Sequence, residues 1–359
     1  MIESRNIAKF DIEPNIVRQG HLAEKIVIVD GQPGCGKTML SPIIAAMDRV
    51  ELLSYAFEIE FICRLFNFNK IKEDAAIAMV RMLVDHKLYQ TMMGRDTNFR
   101  FLDLSSAFKD SNPWRYFKRI FQEGDMAISS RIINERPILN LTTHDLLSHS
   151  EPVFFGLGER VVIIEVVRHP LYMLIQQTLN MERLLEDPRD IDIYIEYKKK
   201  QLPYYAYQLE ELFTLSNSVE KSIYTMDKCI ELTESFKFNY QERFGGQIIT
   251  IPFESFVLNP WPYMEQIEKM LGSNITSKTK KVLKKQRVPR NKIADGLPLE
   301  IYKRCGWEPP ERSLTEKEEL EKRRQFAIEN GASKKSMAVL DNLSEKYETT
   351  YFTFENKKS

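Results

Sequence analysis

The sequence predicts an α/β fold: a three-layer arrangement in which a central, mainly parallel sheet is flanked by helices, with helical insertions and a helical C-terminal extension. Three observations predict it. Short apolar runs rich in β-branched residues recur along the chain, each stopped by a turn. Segments of helical periodicity separate them, and alternating strands and helices build a parallel sheet. The first run also leads through a glycine-rich turn straight into a helix. With 359 residues, 43% of them hydrophobic and 28% charged, the chain can bury a sizeable core without disulfides or metals.

Residues 25–30 (KIVIVD) form the first strand, and 38–47 the helix after it. Residues 50–68 hold a short strand and then a helix. Residues 72–93 lack Gly and Pro and carry apolar positions at helical spacing. The second strand is 137–141 (PILNL). The third is 160–167 (RVVIIEVV), stopped by Arg168-His169-Pro170 and followed by a helix over 171–185. Residues 186–246 read as largely helical, interrupted near Pro203. The fourth strand is 247–251 (QIITI), with helices at 260–271 and 276–286. Beyond it, Ser313 and Glu316 have capping-box spacing. They precede a charged, exposed helix over 317–327, with Glu318 four residues from Lys322, and a second helix over 333–348. This divides the chain into an α/β domain, 1–300, with insertions at about 50–135 and 186–246, and a charged helical extension, 301–359.

Lys plus Arg and Asp plus Glu are both 51, which argues against a non-specific nucleic-acid binder. The four cysteines, Cys35, Cys63, Cys229 and Cys305, show no zinc or disulfide spacing, and a reducing compartment is the simpler expectation. The N-terminal MIESRNIAKFDIEP is polar, and no apolar run approaches the about 18 residues of a membrane span. A soluble, cytoplasmic protein is expected.

Gly31-Gln32-Pro33-Gly34-Cys35-Gly36-Lys37-Thr38 matches the P-loop pattern in full, between a strand and a helix. Glycines let the backbone turn tightly and bring its N–H groups to phosphate oxygens. The helix N-terminus favours an anion, Lys37 adds a mobile positive charge, and Thr38 adds a hydroxyl for a phosphate or a metal ion. Cys35 reads as a small space-filling residue. For an NTPase, Glu165 is the candidate acid that would hold Mg²⁺ through water, although it lies inside its strand.

Three further segments, taken in order with the loop, resemble the sulfotransferases that use 3′-phosphoadenosine-5′-phosphosulfate (PAPS). They are 136–144 (RPILNLTTH), a strand ending in Thr-His; 161–170, a strand ending in Arg-His-Pro; and 248–256 (IITIPFESF), followed by Asn259-Pro260 and Met270-Leu271-Gly272. The resemblance covers about 30–290. It implies that Gly34, Cys35, Gly36, Lys37 and Thr38 hold the 5′-phosphosulfate. Arg168 would bind the 3′-phosphate, a task suited to a bidentate guanidinium, although an ordinary ion pair would also explain an arginine there. His144 would be the general base, since a neutral imidazole near pH 7 takes an acceptor proton well. Lys37 would neutralise charge on the leaving diphosphate. Arg287 and Arg290, in the basic stretch 284–292, would grip the 3′-phosphate; a solvated helix end is the plain alternative. Glu254 would be structural.

The chain departs from the family pattern in three places. Lys37 stands where the family has Ser or Thr, Gln176 stands where it has a 3′-phosphate-binding Ser, and the glycines of the basic loop are missing before Gly296. The resemblance implies PAPS as cosubstrate, no metal, and in-line transfer to a hydroxyl or amine of a sugar, lipid or small-molecule acceptor. A Mg²⁺-dependent ATP or GTP kinase and a non-catalytic nucleotide-binding module are the alternatives. Acceptor identity and oligomeric state are left open by the sequence.

Overall fold

The computed structural model describes residues 14–103, 105–184, 191–297 and 310–351. Cys305, residues 1–13, the start of the second insertion with residue 185 of the helix expected over 171–185, and both ends of the 301–359 extension lie outside them. From β1 (Lys25–Asp30) the chain passes through α1 (Lys37–Ala45) to β2 (Ser54–Tyr55). It continues through α2 (Phe57–Asn67), α3 (Glu73–Met93), α4 (Pro113–Arg119) and α5 (Met126–Glu135) to β3 (Ile138–Thr142). Next come α6 (Glu151–Leu157), β4 (Val161–Val167) and α7 (Pro170–Glu182). The hairpin β5 (Tyr194–Tyr197) and β6 (Lys200–Pro203) precedes α8 (Glu210–Leu215), α9 (Ser218–Asn239), α10 (Gln241–Phe244) and β7 (Ile248–Pro252). The chain closes with α11 (Phe253–Leu258), α12 (Trp261–Leu271), α13 (Ser277–Lys285), α14 (Glu316–Glu329) and α15 (Lys334–Thr350).

The main sheet has five strands in the order β2-β3-β1-β4-β7, every pair parallel. Its central strands are predominantly apolar because both faces are covered. Val27, Val29 and Ile164 pack with Leu40 and Ile43 of α1, Leu174 of α7 and Ile267 of α12. On the other face Ile26, Ile28 and Leu141 meet Ile59 of α2, Val84 of α3 and Phe154 of α6. This is the three-layer α/β fold the sequence predicts. Asp30, Glu165 and Thr250 are partners in register across β1, β4 and β7. The carboxyl ends of these strands, where open α/β sheets bind ligands, therefore lie side by side.

The structure corrects three local readings. Residues 186–246 are not simply helical, because β5 and β6 pair antiparallel. Their turn is Lys198-Lys199, at φ 48° and 65°. A two-residue hairpin needs such left-handed values, but Asn or Gly is the usual signal for them. The capping box falls two residues later, with Thr315 as N-cap and Glu318 returning to its backbone N–H. Glu318 is thereby occupied, and Lys322 reaches Glu311 instead. Finally, α14 is not an exposed helix. Glu319, Leu320, Arg323 and Ala327 are buried, and with Leu340 and Leu343 of α15 its apolar residues join the core that α7 shares. Among the described residues, no helix is long and apolar enough to cross a membrane.

Candidate active site

Asp30, 1% exposed, ends β1. Its carboxylate accepts hydrogen bonds from Thr143 Oγ1 (2.8 Å) and from the backbone N–H groups of Leu146 (3.0 Å) and Leu147 (2.9 Å). It thereby ties the exit of β3 to the loop that opens at Gly31. Two loop glycines are required by close approach. A Cβ at Gly31 would lie 2.4 Å from the Val166 carbonyl oxygen, and one at Gly36 2.2 Å from the Phe253 ring. Gly36 also has φ 112°. Left-handed strain and overpacking each cost about 1–3 kcal/mol, so Gly36→Ala is expected to destabilise the protein by about 2–6 kcal/mol in a urea titration. A loss under about 1 kcal/mol would show that Phe253 yields.

Helix α1 begins with no side-chain cap and no acidic residue in its first turn, so its amides are open to an anion. Lys37 is 7% exposed and turns back on the loop, donating to the carbonyls of Gly31 and Gln32. Cys35 is enclosed beneath the loop, and burial pushes its thiol pKa up, which suits a packing residue rather than a nucleophile.

Arg168 leaves the end of β4 and donates through Nη1 to the Gly34 carbonyl (2.9 Å). Its guanidinium lies 4.3 Å from the centre of the Phe253 ring. Nε sits 3.7 Å from Glu254 and has no hydrogen-bond partner among the described residues. Glu254 is completely buried. It accepts from Tyr347 Oη of α15 and the His169 N–H, and burial raises its pKa. Among the described residues Arg290 donates to backbone carbonyls, those of Arg287, Ile293 and Gln286. Burial, with Arg168 nearby, pushes its pKa down to about 10. Gly34, Gly36, Arg168, Gln176, Phe253 and Arg290 line one cleft of about 660 Å³. Two arginines share this cleft: Arg168 is ion-paired with the buried Glu254, and Arg290 feels the positive charge of Arg168, a repulsion that a bound anion relieves.

A second, larger cavity of about 1260 Å³ opens across the loop at Gln32 and Pro33, and His144 lines it. The His144 side chain is 34% exposed, and its ring runs nearly parallel to those of Tyr55 and Phe57. Glu60 Oε1 accepts the His144 backbone N–H (3.0 Å) and faces Nδ1 at 3.3 Å. A carboxylate there favours the proton on Nδ1 and leaves the lone pair on Nε2. Glu60 Oε2 is held in turn by Arg64 (2.9 Å).

The structure thus gathers Gly34, Gly36, Arg168, Gln176 and Arg290 in one cleft and puts His144 in the neighbouring cavity. Arg287 stands apart from the cleft lining, its guanidinium turned toward the carbonyls of Asp295 and Gly296. Lys37 and the half-buried Thr38 line neither cavity. Glu165 is held by Lys237 (2.8 Å) and Thr250 (2.6 Å), which leaves it poorly placed to organise a metal's water. Sequence reasoning missed Glu60, Arg64 and Gln177, whose side chain bonds Gln32 Oε1 and the Pro33 carbonyl. Only the spacing of Glu60 and Arg64, four apart on one helix, was visible in advance.

No protein-family model matches the sequence, and no curated protein matches it. The backbone is similar to solved sulfotransferase structures. The sulfotransferase domain of the Synechococcus PCC 7002 olefin synthase aligns over 92% of this chain and 96% of its own, at 11% identity and TM-score 0.44. Sulfotransferase STF9 from Mycobacterium avium aligns over 92% and 77%, at 13% identity and TM-score 0.41. Mouse sulfotransferase SULT7A1, complexed with PAP, aligns over 91% and 86%, at 13% identity and TM-score 0.37. With each of these TM-scores below 0.5, the functional reading rests on this chain's own residues.

Proposed function

We propose that the protein is a sulfotransferase moving a sulfuryl group from PAPS to a hydroxyl or amine of an acceptor. The observation that carries this reading is the cleft at the P-loop, in which Arg168 and Arg290 converge while His144 lines the cavity across the loop. The residues fit the donor. Loop amides and the α1 N-terminus suit its 5′ end, and Arg168, whose Nε has no hydrogen-bond partner among the described residues, suits a 3′-phosphate beside Arg290. PAPS supplies the activated sulfuryl group. The protein holds it, excludes water and manages one proton: Nε2 of His144 takes it from the acceptor, with Glu60 stabilising the resulting imidazolium through Nδ1–H. Lys37, once released from the Gly31 and Gln32 carbonyls, supplies positive charge where negative charge develops.

Thermal unfolding with 3′,5′-ADP against ATP plus Mg²⁺ tests the reading. Stabilisation of several degrees by 3′,5′-ADP without metal is expected, because a ligand bound only to the native state stabilises it. Stabilisation by ATP with Mg²⁺ alone overturns it in favour of a phosphoryl-transfer enzyme.

A further inference from the structure

The larger cavity holds more negative charge than proton transfer by His144 uses. We infer that the acceptor carries a cationic group of the ammonium or guanidinium class on an apolar or aromatic body, an inference that rests on the sulfotransferase reading of this cavity. Among the described residues three carboxyl side chains line it, those of Glu60, Asp145 and Asp192. Apart from the imidazole, Arg64 is the single basic side chain among the described lining residues. Its guanidinium is turned to protein oxygens: Asp192 Oδ1 (2.7 Å), Glu60 Oε2 (2.9 Å), Tyr204 Oη (2.9 Å) and the His144 carbonyl (3.2 Å). It also stacks 3.7 Å from the centre of the Tyr204 ring. Arg64 therefore compensates its own neighbours and offers little to an anionic acceptor, which would also meet the charge of the donor.

Asp145 is the carboxyl group that Arg64 does not bond. It is 7% exposed and sits at φ 54° directly after His144. The Cys229 thiol is a neighbour of its carboxyl group, and burial pushes the Asp145 pKa up to about 7. One helical turn from Cys229 on α9, Thr225 also lines the cavity. It is 7% exposed, and its hydroxyl has no hydrogen-bond partner among the described residues. A buried hydroxyl left open costs stability until something bonds it. An ammonium group, with three donors and no acceptor, can use that oxygen and the Asp145 carboxyl together, and its charge would hold Asp145 ionised. Phe57, Phe61 and Tyr205 supply faces for the apolar body and for contact with a cation.

Three probes share a phenol and differ in charge at the far end: tyramine, 4-ethylphenol and 3-(4-hydroxyphenyl)propanoate. Each is titrated calorimetrically into the full chain, with and without saturating 3′,5′-ADP. Tyramine is expected to bind at least about tenfold tighter than 4-ethylphenol, with the propanoate weakest, the size of one desolvated cation contact. Thr225→Val and Asp145→Asn, each confirmed folded by its unfolding midpoint, should bring the tyramine advantage below about threefold; asparagine tolerates the left-handed backbone at 145. Absence of tyramine binding, equal or tighter binding of either other probe, or an advantage unchanged in both variants overturns the inference. Failure of 3′,5′-ADP to bind defeats the sulfotransferase reading separately, since the preference among probes is also read without nucleotide.

Discussion

Arg168→Ala is expected to weaken 3′,5′-ADP by about 30- to 100-fold while changing adenosine 5′-phosphosulfate, which lacks the 3′-phosphate, by no more than about threefold. The size follows from charge-assisted hydrogen bonds, worth about 1.5–3 kcal/mol when made by an ionised group. The asymmetry follows from position. Arg168 stands at the end of β4 with Nη1 on the Gly34 carbonyl and Nε without a hydrogen bond among the described residues, beside Arg290 rather than at the α1 amides. The substitution has a structural side too. Glu254 is fully buried, and Arg168 is the cation that lowers its pKa against burial. The variant leaves Glu254 with Tyr347 and the His169 N–H, and its carboxyl then shifts further toward the protonated form. Arg168→Lys separates the two effects. It keeps a charge near Glu254 but loses the planar fork, so stability should recover more than 3′,5′-ADP affinity. Calorimetry that finds both nucleotides weakened equally would remove Arg168 from recognition of the 3′ position.

The extent to which the site could be read in advance follows from how local each part is. The P-loop is contiguous, so strand, glycines and helix are adjacent in sequence and their joint meaning is legible. Arg168 and His144 each end an apolar strand, and parallel strands bring their carboxyl ends to one edge. Arg290 and Arg287 show the limit. They are three residues apart in one basic stretch, yet Arg287 has φ 53° and turns its side chain toward Asp295 and Gly296, while Arg290 reaches the cleft. Periodicity carries no information about such a turn. Glu60 was less accessible still. In FEIEFICRLF it reads as one polar position on an amphipathic helix, whereas packing of α2 beside the β3 exit buries it to 2% exposure under His144. The β5–β6 hairpin escaped because lysines occupy its left-handed turn, and α14 escaped because its charged residues pair with each other while Leu320 and Ala327 face the core.

His144→Ala should lower sulfuryl transfer by about 10²- to 10⁴-fold, the usual contribution of a positioned general base, with 3′,5′-ADP affinity within about twofold because no described nucleotide-cleft residue touches the ring. Its neighbour distinguishes chemistry from architecture. Glu60→Gln keeps the volume and still accepts the His144 backbone N–H, but loses the charge that orients Nδ1–H and supports the imidazolium. Its expected effect is a fall in kcat of about tenfold with KM changed far less, since an interaction that strengthens in the transition state appears in kcat. Arg64 remains paired to Asp192 in that variant, which limits the penalty of leaving a buried charge uncompensated. Should Glu60→Gln raise KM and leave kcat intact, Glu60 would belong to acceptor binding. Should His144→Ala turn over at the wild-type rate, the proton would have to leave by another group, and Asp145, directly after it in the chain and lining the same cavity, would be the first to replace.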